Sequence, residues 1–270
     1  MAGISGGGNS GRIVVQGRDR HLLRELALMR VVDREQARTV AGFGSTTRVN
    51  ARLLALTRAG LLRRFFVGTT AGGKKALYSL SAKGAALVDV PERGLRRRND
   101  EALVGNFFAL HQLTVNQIYC AMKYATIPLP EVTFKRWLGF YAPISKVRRL
   151  IPDGYFELQV PRGVFAAFLE VDLGNESLAV WKDKAGKYVQ YALSGDYEAQ
   201  FKHSGLRTLV IANSERRLRS IRKAVAEITG KIFRFATLEA IEREGLFGTV
   251  WLRTQGDERQ PLIKETRTTP

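Results

Sequence analysis

Apolar residues recur at three- and four-residue intervals along RDRHLLRELALMR (18–30), where Leu22, Leu23, Leu26 and Met29 fall on one helical face. Asp33 is placed to cap a short second helix that turns Ala37, Val40 and Ala41 inward, and Gly42 and Gly44 break it. Ser45 caps a third helix running to about Ala59, with Val49, Leu53 and Leu56 inward and Gly60 as a left-handed stop. Its outward face presents Thr46, Thr47, Arg48, Asn50 and Arg52. The pattern then becomes extended in LLRRFF (61–66) and ALYSLS (76–81), joined by VGTTAGGKK with glycines at its tip, and a further helix opens near Ser81.

Residues 101–124 read as one long helix, apolar on most sides through Phe107, Leu110, Leu113, Ile118 and Met122. Within it His111 reads as a hydrogen-bonded core or interface histidine, and Cys120 as a small buried apolar residue. Extended segments follow at 131–140, 148–158 and 164–173, then a helix over about 177–193, a strand at 207–214, a helix at 215–228 and a strand at 231–237. That order predicts a mixed sheet with helices on its faces, and the whole chain is expected to be α+β.

Charge adds a division of labour. The chain of 270 residues has a net charge of +18, and residues 1–100 carry 19 basic and 7 acidic groups whereas residues 101–200 carry 10 of each. A basic N-terminal third points to a polyanionic partner, and double-stranded DNA suits it better than a membrane surface, because no basic amphipathic helix lies outside the folded pattern. Helix, short helix, capped helix and basic hairpin is also the order of a winged helix-turn-helix. Such a domain lays the start of its capped helix in the major groove, which makes Thr46, Thr47, Arg48, Asn50 and Arg52 the candidate contacts. Arg63, Arg64, Lys74 and Lys75 on the hairpin are candidates for the flanking phosphates. The linker run Arg96, Arg97 and Arg98 reads equally as a phosphate contact or a solvated joint. No membrane span, no secretory leader and a single cysteine make the cytoplasm the expected compartment.

Three carboxylates stand out in the second part. Glu170 and Asp172 alternate along one strand and so share a face, inside the apolar run Phe168–Leu173. A hairpin with segment 148–158 brings Asp153 beside Glu170. Clustered carboxylates form a hard-oxygen cradle for Mg2+ or Mn2+, so Asp153, Glu170 and Asp172 are candidate metal ligands. The bland alternative is a set of structural carboxylates bonded to arginines such as Arg148 or Arg149. On the next helix Lys187 and Tyr191 share a face. Glu176 and Asp183 read as helix-terminal or surface charges, and Arg216, Arg217, Arg219 and Arg222 load a later helix.

PDG at 152–154, E-x-D at 170–172 and a helical Lys187 with Tyr191 four residues on resemble the PD-(D/E)xK nuclease fold. With HQLTVNQIY (111–119), RRLIPDGYFEL (148–158), FLEVDLGNES (168–177) and KYVQY (187–191), the chain from about 18 to 240 resembles the replication-relaxation family, bacterial proteins linked to plasmid replication and mobilisation. The resemblance implies that Asp153 and Glu170 match the metal-binding acids of the nuclease motif. The strand lysine of that motif falls at Asp172, a departure from the pattern, and Lys187 would supply its charge from the helix, with Gln190 and Tyr191 lining the same cleft. An active site of this kind hydrolyses phosphodiesters with Mg2+ or Mn2+, which makes Asp153, Glu170, Asp172, Lys187 and Tyr191 the candidate catalytic set.

The expected organisation is therefore a tail over 1–16, a winged helix-turn-helix over 17–89, a basic linker over 90–100, a nuclease-like domain over 101–250 and a tail over 251–270. Three functions fit it. The first is a DNA-binding protein of plasmid or mobile-element replication or mobilisation with a degenerate nuclease fold. The second is an active Mg2+-dependent DNA endonuclease. The third is a winged-helix transcription regulator whose second domain serves dimerisation. A homodimer would suit a palindromic site.

Overall fold

A computed structural model describes residues 13–68, 72–92, 102–145 and 149–263. The chain divides into two compact units, Met1–Leu113 and Thr114–Pro270, so the boundary falls inside the long helix rather than in the basic linker. Residues 1–12 of the expected N-terminal tail, the linker arginines Arg96, Arg97 and Arg98, Arg148, and residues 264–270 lie outside the described residues.

The first unit runs α1 (Gly17–Met29), β1 (Val32–Asp33), α2 (Arg34–Val40), α3 (Thr46–Arg58), β2 (Leu62–Gly68), β3 (Lys74–Leu80) and α4 (Ala82–Leu87), and it contains the start of α5 (Ala102–Lys123). Capping side chains set the starts of three of these helices. Asp33 Oδ1 accepts the Gln36 N–H at 2.8 Å, Ser45 Oγ that of Arg48 at 3.3 Å, and Ser81 Oγ that of Gly84 at 2.9 Å. Gly60 takes φ +74° just past α3, where it redirects the chain into β2. The strands form an antiparallel sheet in the order β1-β3-β2, with Val32 opposite Tyr78 and Leu62 opposite Leu80. Strand β1 went unseen in the sequence because two residues carry no alternation. Leu22, Leu23 and Leu26 of α1 and Val49, Leu53 and Leu56 of α3 are fully buried.

The second unit holds β4 (Thr133–Leu138), β5 (Gly154–Val160), β6 (Gly163–Asp172), α6 (Leu178–Leu193), α7 (Asp196–Phe201), β7 (Thr208–Ala212), α8 (Glu215–Ala226), β8 (Phe233–Thr237), α9 (Leu238–Glu244) and β9 (Leu252–Arg253). They form one six-stranded sheet in the order β4-β5-β6-β7-β8-β9. Pairing is antiparallel from β4 to β6, parallel from β6 to β8, and antiparallel again at β9. Side chains alternate across it. Phe156, Leu158, Leu169, Leu209 and Ile211 pack with Val115, Ile118 and Met122 of α5 and with Ala240 and Ile241 of α9. Tyr155, Phe168, Val210 and Phe235 pack on the other face with Trp181 and Tyr188 of α6 and Leu218, Ile221 and Val225 of α8.

Two expectations need correction. The strand expected over 148–158 begins only at Gly154, so Asp153 precedes the strand rather than lying within it. The expected C-terminal tail is folded through its described part, because Trp251, Leu252 and Leu262 are apolar and buried and Arg253 pairs with Arg234 across β8–β9.

Candidate functional site

In the first unit, α3 buries one face and exposes Thr46, Thr47, Arg48 and Asn50 in its first turns. Arg52 departs from that exposed set. Its Nε donates to Asp19 Oδ1 at 2.8 Å, its Nη2 to Asp19 Oδ2, and Nη2 also to the Val14 carbonyl at 2.6 Å. Asp19 is 1% exposed, and its hydrogen bonds hold the Arg52 guanidinium above its ordinary pKa. Arg52 therefore ties α3 to α1. On the hairpin, Arg63 pairs with Glu92 at 2.5 Å and Lys75 with Asp33 at 2.5 Å, while Arg64 stacks 4.7 Å over the exposed Phe66 ring. Arg63, Arg64, Lys74 and Lys75 all remain exposed.

In the second unit the carboxylates gather around the C-terminal end of β6. Asp153 reaches it through main-chain geometry, its N–H donating to Leu169 O at 3.1 Å and its Oδ2 accepting the Val171 N–H at 2.7 Å. The glycine after it is required locally, since a Cβ at Gly154 would lie 2.5 Å from Trp137 Cζ2. Glu170 is 1% exposed, accepting from Tyr188 Oη at 2.6 Å and from Lys184 Nζ at 2.9 Å. Burial pushes its pKa up to about 7 and the Asp153 charge pushes the same way, against the pull of Lys184. Lys184 Nζ also lies 2.9 and 3.0 Å from the two Glu176 oxygens. Burial alone would lower the lysine pKa, but Glu170, Glu176 and Asp153 together hold it above its ordinary value.

Glu170 and Asp172 share one face, as alternation required, yet Asp172 has a separate partner set. Its Oδ1 accepts from Gly174 N and Arg217 Nε, each at 2.7 Å, and its Oδ2 from Trp181 Nε1 at 2.8 Å and Arg217 Nη2 at 2.7 Å. Burial would raise its pKa, but the Arg217 and Trp181 hydrogen bonds hold it below the usual carboxylate range. The bland reading finds its arginine for Asp172 in Arg217, while Arg148, one of the two expected, lies outside the described residues.

Lys187 is not brought to the acids. It pairs with the exposed Asp183 one turn earlier on α6, at 2.6 Å. Tyr191 is also elsewhere, buried among Phe168 and Tyr197, with its hydroxyl donating to Gln200 Oε1 at 2.5 Å and its pKa pushed up to about 12 by burial. Gln190 is exposed. The residue that sequence reasoning missed is Lys184. Trp181, Lys184 and Tyr188 stand at i, i+3 and i+7 on the buried face of α6, and that spacing was a usable signal. Glu176, read as a helix-terminal charge, joins the cluster through the same lysine.

Mg2+ demands near-octahedral oxygen coordination. Asp153 and Glu170 are suitable donor types, but Lys184 and Tyr188 occupy both Glu170 oxygens and Arg217 closes Asp172. Among the described residues, no group of three or more His, Cys, Asp and Glu side chains is placed to hold a metal ion. As arranged, these residues do not fit a divalent cation; internal cations fill the place one would take.

Farther along the same sheet face Glu157, 1% exposed, accepts from Arg136 Nη2 at 2.5 Å and Tyr155 Oη at 2.9 Å, and it lies 3.0 Å from His203 Nε2. Burial would raise its pKa, but these partners bring it down to about 2.

A family model described as replication-relaxation matches residues 23–206 of the chain. That span takes in α3, the hairpin, Asp153, Glu170 and Lys184. No curated protein and no solved structure matches the chain. Among the described residues no helix is long and apolar enough to cross a membrane.

Proposed function

The chain belongs to the replication-relaxation family, and from that membership we propose that it is a cytoplasmic, duplex-DNA-binding protein of plasmid or mobile-element replication or mobilisation. The first unit acts as a winged helix-turn-helix. The observation that carries this is α3, capped by Ser45 and buried on one side, which offers Thr46, Thr47, Arg48 and Asn50 to solvent at its start. A helix of this kind fits the major groove end-first, where short polar side chains and an arginine meet base edges. Arg64 and Lys74 on the hairpin then contact flanking phosphates, which fixes register without reading sequence. The protein binds a palindromic site as a homodimer.

The second unit is a nuclease-like scaffold. Its acids are satisfied by Lys184 and Arg217, and that supports a structural rather than a hydrolytic role. Two measurements test the proposal. Selection from random-sequence duplexes should yield a defined site that the Arg48→Ala variant binds at least about tenfold more weakly, as expected for one lost base or phosphate contact; an equal affinity sinks the α3 assignment. Supercoiled plasmid incubated with wild type in Mg2+ or Mn2+ should stay intact. Nicking by wild type that an Asp153→Ala, Glu170→Ala variant lacks makes the protein an endonuclease and overturns the scaffold role.

A further inference from the structure

Helix α8 has an outer face whose cations, among the described residues, have no ion-pair partner. Its buried face is Leu218, Ile221, Ala224 and Val225. Two of its arginines are committed inward or sideways, Arg217 to Asp172 and Arg222 to Asp257 and the Arg253 carbonyl. Its own carboxylate Glu215 is taken by Arg259 at 2.5 Å, and Glu227 at its C-cap by Lys182 at 2.5 Å. Exposed Arg216, Arg219 and Lys223 are left along one side, spaced i, i+3 and i+7, and among the described residues none is in an ion pair. They span about 10 Å of helix at ~1.5 Å per residue.

Glu215 and Glu227 stand four residues from Arg219 and Lys223, but both are paired elsewhere, so the stripe gains no ion pair from its own helix. Like charges three and four residues apart repel one another. Arg216 and Arg219 also sit near the positive end of the helix dipole, where acidic side chains are favoured. A solvated helix face ordinarily interleaves both signs. Two of the three cations are arginines, whose fork matches phosphate oxygens. The stripe begins where β6 and β7 end, at the carboxyl edge of the parallel strands, and there Asn213 Nδ2 clamps the Leu173 carbonyl at 2.8 Å. Ligands of open α/β sheets gather at that edge.

We propose that Arg216, Arg219 and Lys223 form a second nucleic-acid contact, through which the second unit grips the phosphate backbone of duplex DNA independently of α3. It reads no sequence. It contributes affinity and salt dependence, so the full chain holds DNA through both of its units.

The test is the salt dependence of binding by the full chain to a random-sequence duplex, measured by fluorescence anisotropy. Each lost phosphate contact removes about 0.9 from the slope of log K against log salt. The Arg216→Gln, Arg219→Gln, Lys223→Gln variant should therefore lose about 3 from the slope, and its deficit against wild type should narrow by ~40-fold between about 50 and 200 mM salt. An Arg216→Lys, Arg219→Lys variant should keep the wild-type slope. An unchanged slope in the Gln variant, with its thermal unfolding intact, overturns the proposal. An Arg48→Ala variant separates the two surfaces. Loss of site preference there with an unchanged α8 variant leaves the first unit as the DNA reader and sinks α8, whereas the reverse pattern keeps α8 and sinks α3. Wild type that ignores duplex but binds vesicles of phosphatidylcholine and phosphatidylserine overturns both.

Discussion

Lys184 Nζ lies 2.9 Å from Glu170 Oε2, and this pair, with Tyr188 on the other carboxylate oxygen, closes the acidic end of β6. Glu170 is almost wholly removed from water, and the lysine is 17% exposed. Two charges in such surroundings stabilise each other only as long as both remain.

Measured at about pH 9, where Glu170 is ionised, Lys184→Met should therefore destabilise the second unit by about 3–5 kcal/mol, the usual cost of leaving one member of a buried pair alone. Adding Glu170→Gln should restore much of that loss. Urea unfolding of the two variants and the double variant, analysed as a cycle, gives the coupling directly; additive losses would mean that the pair contributes nothing.

The carboxyls of the second unit should pull stability in opposite directions with pH. Glu170 has a folded pKa of about 7, above its ordinary 4.5, so the folded state binds the extra proton. Its contribution is complete below about pH 4.5 and is lost as pH rises towards 7. Glu157 is lowered to about 2, so its contribution is present above 4.5 and is lost as pH falls towards 2. Glu170→Gln should flatten the decline in stability between about pH 4.5 and 7, and Glu157→Gln should flatten the acid limb. Thermal unfolding followed across pH reads both, and a Glu170→Gln profile parallel to wild type contradicts the first.

Arg52 and Arg48, four residues apart on α3, should behave differently. Arg52→Ala leaves the buried Asp19 carboxylate without its cation and should cost about 3 kcal/mol of stability. Arg48→Ala, at an exposed position, should change stability by less than ~0.5 kcal/mol and, on the proposed role of α3, act only on DNA affinity. Denaturant midpoints of the two variants decide this, since equal midpoints contradict the role given to Arg52.

Gly154→Ala should destabilise by about 1–3 kcal/mol, because the new methyl meets the Trp137 ring and forces it off Phe156. Tryptophan fluorescence should report the displaced ring, and an unchanged spectrum with unchanged stability would contradict the close approach.

Much of this architecture was legible in the chain. Helices α1, α3, α6 and α8 show their apolar stripes, and the parity of Glu170 and Asp172 placed both acids on one face. The errors share a physical cause. Arg52 and Lys184 are charged residues at positions of the apolar stripe: Arg52 lies three residues after Val49 and four before Leu56, and Lys184 lies between Trp181 and Tyr188. A charge inside such a stripe is buried against a partner from another element, and a spacing-based choice passes over it in favour of Lys187. The partners themselves were out of reach of local pattern, since Arg217 is 45 residues from Asp172. Strand β9 was hidden because two residues show no period, although Trp251 and Leu252 marked the segment as apolar.

The position of β6 also sets an order of assembly. It pairs with β5 through a tight hairpin but with β7 only after α6 and α7 have been traversed. The local pairing closes a short loop, and the parallel pairing must close a long one. On that order Glu170 and Asp172 would keep their water through the early steps and surrender it only when α6 and α8 deliver Lys184 and Arg217. Removing either cation should leave the refolding rate near that of wild type and hasten unfolding instead, so these two ion pairs act as latches on the lifetime of the folded unit.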